Sequence, residues 1–133
     1  MKVQQYILAL LLVVFTLPAA ADPVDLAKRR YLSPQEAASL QQKVILLDVR
    51  SAEEWRAGHI KGAVHIPYDQ VPDKISTIIP DRSVPIVIYC ASGGRARYVI
   101  GAVRKLGYTA VPVMKGGYRQ LVDSGMVKSC PSC

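Results

Sequence analysis

The chain has 133 residues, 50% of them hydrophobic and 20% charged. That balance excludes a disordered chain, and the length excludes a second full-sized domain. Lys and Arg total 17 against 10 Asp and Glu, a formal net charge of +7. The basic residues are scattered apart from Lys28-Arg29-Arg30 and lack interleaved aromatics. The surplus therefore reads as solubility and attraction for small anions, not as a nucleic-acid surface.

Residues 1–21 carry the marks of a secretory signal peptide. Lys2 is followed by an apolar run from Tyr6 to Leu17 and then by Ala19-Ala20-Ala21 before Asp22. The run is shorter than the ~20 residues a spanning helix needs, so no stable membrane association is expected after cleavage. A periplasmic location is the resulting expectation. Residues 22–30 read as a flexible mature N-terminus, 31–126 as the domain, and 127–133 as a tail bearing C-x-x-C.

Within the domain, Tyr31-Leu32 reads as a short strand. Ser33-Pro34-Gln35-Glu36 gives a helix start, with Ser33 as N-cap, Pro34 at the first helical position and Glu36 closing a capping box; the helix is expected to run to about Gln41. Val44 to Val49 is a continuous apolar strand, the mark of a parallel sheet covered on both faces. Ser51-Ala52-Glu53-Glu54 repeats the capping box. Gly58 to Gly62 is turn-rich, and Ala63 to Ile66 is a short strand stopped by Pro67. A helical stretch from Tyr68 to Ile79 shows Val71, Ile75, Ile78 and Ile79 as its apolar face.

Ile86 to Tyr89 is a buried strand. Arg95 to Leu106 is a helix with Val99, Ala102, Val103 and Leu106 facing the core and Gly107 as its stop. Thr109 to Met114 is strand-like, and Pro112 assigns it to a sheet edge or a strand end. Tyr118 to Ser124 forms a last helix with Leu121 and Val122 packed. Strands alternating with helices define an α/β fold, a small, mostly parallel sheet of about five strands flanked by helices on both faces. Ligands of such sheets lie at the carboxyl ends of the strands. Cys90 and Asp48-Val49-Arg50 both fall there.

Cys90 ends its strand and is followed by Ala91, Ser92, Gly93, Gly94 and Arg95. A strand, a tight glycine loop and a helix start aim backbone N–H groups at one spot, which favours a thiolate or another anion. The cysteine count is odd. Cys130 and Cys133 form the C-x-x-C, leaving Cys90 unpaired, as expected of a reactive thiol in an exported protein. The tail pair leaves two readings open: a disulfide without function, or exchange with sulfur carried on Cys90. It does not sit at a strand-to-helix junction, which argues against a thioredoxin role. Asp48 and Arg50 read as loop-fixing groups that support the site, His59 and His65 likewise, and Trp55 as core. No acids or cysteines stand at ligand spacing around the histidines, so neither a metal nor a cofactor is expected.

Leu47-Asp48-Val49-Arg50, Glu54-Trp55, the run from Gly58 to Pro67, Cys90-Ala91-Ser92-Gly93-Gly94-Arg95 and Lys115-Gly116-Gly117-Tyr118 together resemble the rhodanese (thiosulfate sulfurtransferase) domain, over about Leu32 to Gly125. A single such domain behind a signal peptide resembles the small periplasmic rhodaneses, including the phage-shock type. The resemblance implies that Cys90 attacks the outer sulfur of thiosulfate, releases sulfite, and passes sulfur from a persulfide to cyanide or a thiol. It implies that N–H groups from Ala91 to Arg95 stabilise the sulfur anion and that Arg95 holds the sulfite portion. The chain is expected to act as a monomer. The related phosphatases and arsenate reductases carry a loop one residue longer than this C-x4-R, which makes theirs the weaker alternative. A non-catalytic sulfur-carrier or binding module is the other.

Overall fold

The computed structural model describes residues 25–125, 127 and 129–133. The expected signal peptide, and residues 22–24 of the expected mature N-terminus, lie outside the described residues.

Five strands form one sheet: β1 (Tyr31–Leu32), β2 (Ile45–Asp48), β4 (Val64–His65), β5 (Ile86–Tyr89) and β6 (Val113–Met114), in the order β1-β6-β5-β2-β4. Every pairing in it is parallel. The central pair, β2 with β5, runs in register from Ile45 opposite Ile86 to Asp48 opposite Tyr89. Side chains along a strand point alternately to opposite faces. Leu47, Ile86 and Ile88 accordingly join one core cluster with Val71, Ile75, Val99 and Val103. Leu46, Val87 and Tyr89 join the other with Leu32, Ala37 and Leu121. Both faces are therefore buried, which is why these strands are apolar without alternation.

The first face is covered by α3 (Val71–Ile78) and α4 (Gly94–Lys105), the second by α1 (Pro34–Ser39) and α5 (Gly117–Asp123). A short helix, α2 (Ala52–Ala57), follows β2. Both expected capping boxes form, Ser33 with Glu36 and Ser51 with Glu54.

The structure corrects several expectations. The strand expected from Thr109 to Met114 is only Val113–Met114, and it lies inside the sheet between β1 and β5. Pro112 is compatible with that place because it precedes the strand and contributes only its carbonyl, which accepts from the Ile88 N–H at 3.0 Å. Ile78 is exposed, since the helix turns it outward, while Ile79 at the C-cap is buried. Leu106 and Ala102 are only partly buried, and Ala96 takes the inner position instead. Of the segment expected to be flexible, residues 25–30 include a turn, with the Lys28 N–H on the Asp25 carbonyl and Leu26 buried.

The tail is also built into the fold. Ser129–Cys130 forms β7 and pairs antiparallel with β3 (His59–Ile60), His59 opposite Cys130. Val127 is buried in the same cluster as Leu26 and Leu121. The turn-rich stretch expected from Gly58 to Gly62 thus contains a strand.

Candidate active site

Cys90 follows β5 directly and is 1% exposed. Its Sγ accepts the Gly93 N–H at 2.9 Å. Gly93 is the N-cap of α4, with φ of +106°. A Cβ there would meet nothing within 4 Å, so the position needs glycine for its backbone conformation and not for space. The positive end of α4 thus faces the sulfur. Gly94, expected in the loop, is the first residue of that helix.

From the other side, α5 closes on the same loop. The Tyr118 N–H donates to the Cys90 carbonyl at 2.7 Å. Gly117 permits this approach, because a Cβ there would lie 2.2 Å from the Ala91 carbonyl oxygen. Two clefts share Ala91 in their walls. One, of about 300 Å³, is walled by Arg50, Glu54, Gly58, Tyr118 and Arg119; the other, of about 450 Å³, by Gly116, Arg119, Gln120 and Asp123.

Two carboxylate–guanidinium pairs stand near the cysteine loop, with Arg50 and Glu54 lining the same cleft as Ala91. Asp48 Oδ2 accepts from Arg50 Nη2 at 2.7 Å and from Nε at 3.0 Å, while Oδ1 takes the Arg50 backbone N–H at 2.9 Å. Both side chains are at most 4% exposed. Arg50 also donates to the Gly58 carbonyl at 2.8 Å and lies over the Tyr118 ring, 3.7 Å from its centroid. It therefore links the end of β2 to Gly58, the C-cap of α2, and to Tyr118 of α5. Tyr89 lies buried beside this pair, and burial above all, then the Asp48 charge, pushes its phenol far above the usual range.

The second pair joins Arg95 to Glu54. Arg95 Nη1 and Nη2 donate to Glu54 Oε2 and Oε1 at 2.5 and 2.8 Å. These side chains are 31% and 35% exposed. The Arg95 bond above all holds the Glu54 carboxyl down at about 2, aided by its capping bonds to Ser51. Arg95 is held charged first by Glu54 and then by Cys90 beside it. The fork expected to be open for an anion is thus already filled by a carboxylate of the chain itself. In the sequence Glu54 stands out as a helix starter and in the Glu54-Trp55 motif, without a role at the site. Its contact with Arg95 spans 41 residues, which no local pattern reveals. Tyr118, Arg119 and Gly58 were missed as parts of the site for the same reason.

The histidines fix loops, as expected. His65 Nε2 donates to the Arg50 carbonyl at 2.9 Å, and His59 Nδ1 to the Trp55 carbonyl at 3.0 Å. Trp55 is not core. It is half-buried and stacks on both imidazoles, with centroids 3.6 Å from His59 and 4.7 Å from His65.

A Rhodanese-like domain family model matches residues 33–124. The thiosulfate sulfurtransferase PspE of Escherichia coli is 32% identical over 65 residues, 49% of this chain and 62% of that protein, so the match spans less than two thirds of its length. The thiosulfate sulfurtransferase GlpE of Tolumonas auensis is 30% identical over 89 residues, 65% of this chain and 82% of that protein. Among solved structures, the human single domain sulfurtransferase TSTD1 superposes with a TM-score of 0.62 at 30% identity, over 71% of this chain and 96% of that one.

Proposed function

This chain belongs to the rhodanese-like domain family, whose members include sulfurtransferases, and on that premise we propose that it moves sulfane sulfur from thiosulfate to a thiol or cyanide through a persulfide on Cys90. The observation that carries the reading is Cys90 Sγ on the Gly93 amide at the start of α4. An anionic sulfur there has a fixed dipole waiting for it and needs no rearrangement to be stabilised.

In the first half-reaction the Cys90 thiolate attacks the outer sulfur of thiosulfate. The S–S bond of the donor breaks, sulfite leaves with its electron pair, and Cys90 holds a persulfide anion. In the second, an acceptor thiolate or cyanide attacks the outer persulfide sulfur and the Cys90 thiolate is restored. The N–H groups of residues 91–95 cradle the terminal sulfur. Arg95 takes the sulfonate oxygens, and for that the donor displaces Glu54 from the guanidinium, one anion replacing another. The partial exposure of the Glu54–Arg95 pair, with Glu54 on the cleft wall, supports this exchange. The leader-like residues 1–21 support a site of action in the periplasm.

The test is thiocyanate formation from thiosulfate and cyanide. Cys90→Ser is expected to abolish turnover while leaving the unfolding midpoint within the range of a surface change. Retained turnover in that variant rejects the assignment.

A further inference from the structure

A pair of sulfurs lies outside the site just described. Cys130 and Cys133 are joined as a disulfide, with Cα atoms 5.7 Å apart. Cys130 sits on β7 and is partly buried, whereas residues 131–133 are exposed. The pair is held in place by the β3–β7 ladder and by a hydrogen bond between the Tyr118 and Ser129 hydroxyls.

What gives this disulfide chemical significance is His59. A carbonyl oxygen only accepts, so the bond from His59 to the Trp55 carbonyl puts the ring proton on Nδ1. Nε2 is then the basic nitrogen, and it faces Cys133 Sγ at 3.9 Å. The ring cannot turn away, because it is stacked on Trp55 at an interplanar angle of 10° and is itself 6% exposed. The sequence offers this C-x-x-C no helix N-terminus. The fold supplies an imidazole to the same end.

We propose that Cys130, Cys133 and His59 form a second reactive centre, a thiol–disulfide exchange site whose substrates are disulfides and thiols. In the reduced protein His59 Nε2 takes the Cys133 proton. The Cys133 thiolate attacks one sulfur of a substrate disulfide, forms a mixed disulfide and expels the other sulfur as a thiolate. The Cys130 thiolate then attacks Cys133 Sγ, restoring the internal disulfide and releasing the second substrate thiolate. Two electrons pass from the dithiol to the substrate, and the two thiol protons end on the released thiols. In the reverse direction an external thiolate enters at the exposed Cys133.

The experiment uses the full chain, reduced with dithiothreitol and desalted. Iodoacetamide is added at pH 7, and peptide mapping follows each cysteine separately, Cys90 included. Cys133 is expected to alkylate about tenfold faster in the folded protein than in the same protein in urea, as a thiolate partner requires. His59→Gln is expected to erase that gain. Should the variant fail to fold, the folded-to-unfolded ratio of the unsubstituted chain still decides. Oxidised glutathione is the substrate probe. Cys130→Ser is expected to stop at a glutathione adduct on Cys133, where the unsubstituted chain releases both thiols. A Cys133 that reacts no faster folded than unfolded overturns the proposal, as does a gain that survives in a folded His59→Gln.

Discussion

The two carboxylate–guanidinium pairs, Asp48–Arg50 and Glu54–Arg95, use the same chemistry and cannot do the same job. Asp48–Arg50 is closed to water, with the guanidinium also bonded to Gly58 and stacked on Tyr118. Glu54–Arg95 is about a third exposed, and its Glu54 lines a cleft. Desolvation makes the first pair hard to open, because either charge left alone is stranded. Solvent and competing ions make the second cheap to open. The lesson is that burial, not charge type, separates a brace from an exchangeable contact.

The largest effect is expected from breaking the brace. Asp48→Ala leaves Arg50 buried and uncompensated, and should lower stability by about 3–5 kcal/mol, read from denaturant unfolding. Next comes the seat of α5 on the cysteine loop. Gly117→Ala sets a Cβ against the Ala91 carbonyl at a φ of +68°, and should cost more than about 1 kcal/mol and slow sulfur loading with it.

At the exchangeable pair the effects move from stability to substrate. Arg95→Lys should change stability by less than about 1 kcal/mol, yet slow loading by thiosulfate about tenfold through loss of the planar fork. Glu54→Gln removes the competing anion and should lower the KM for thiosulfate with kcat little changed. A KM that rises instead would mean that Glu54 only positions Arg95.

The smallest effect is one of pH. Glu54 ionises at about 2 in the fold against an ordinary 4.5, so its contribution is full above 4.5 and lost as pH falls through 2. The gap in unfolding midpoint between the unsubstituted chain and Glu54→Gln should stay flat above pH 5 and close below it.

The sheet, the loop around Cys90 and both capping boxes were legible because each is written in residues close together in the chain. The apolar runs at β2 and β5 announce a sheet covered on both faces, and the glycines after Cys90 announce a tight turn. What was not legible depends on distant partners. Nothing near Ser129 says that it pairs with Ile60, and nothing near Trp55 says that two imidazoles will stack on it. The same holds for Arg95, whose apparent freedom in the sequence ends at a glutamate on another helix.

A single mass measurement tests the persulfide on Cys90 most directly. The unsubstituted protein, treated with thiosulfate and desalted without reductant, is predicted to gain the mass of one sulfur atom, mapped to the peptide bearing Cys90 and discharged by cyanide. An unchanged mass, or the added sulfur found on Cys130 or Cys133 instead, would contradict it.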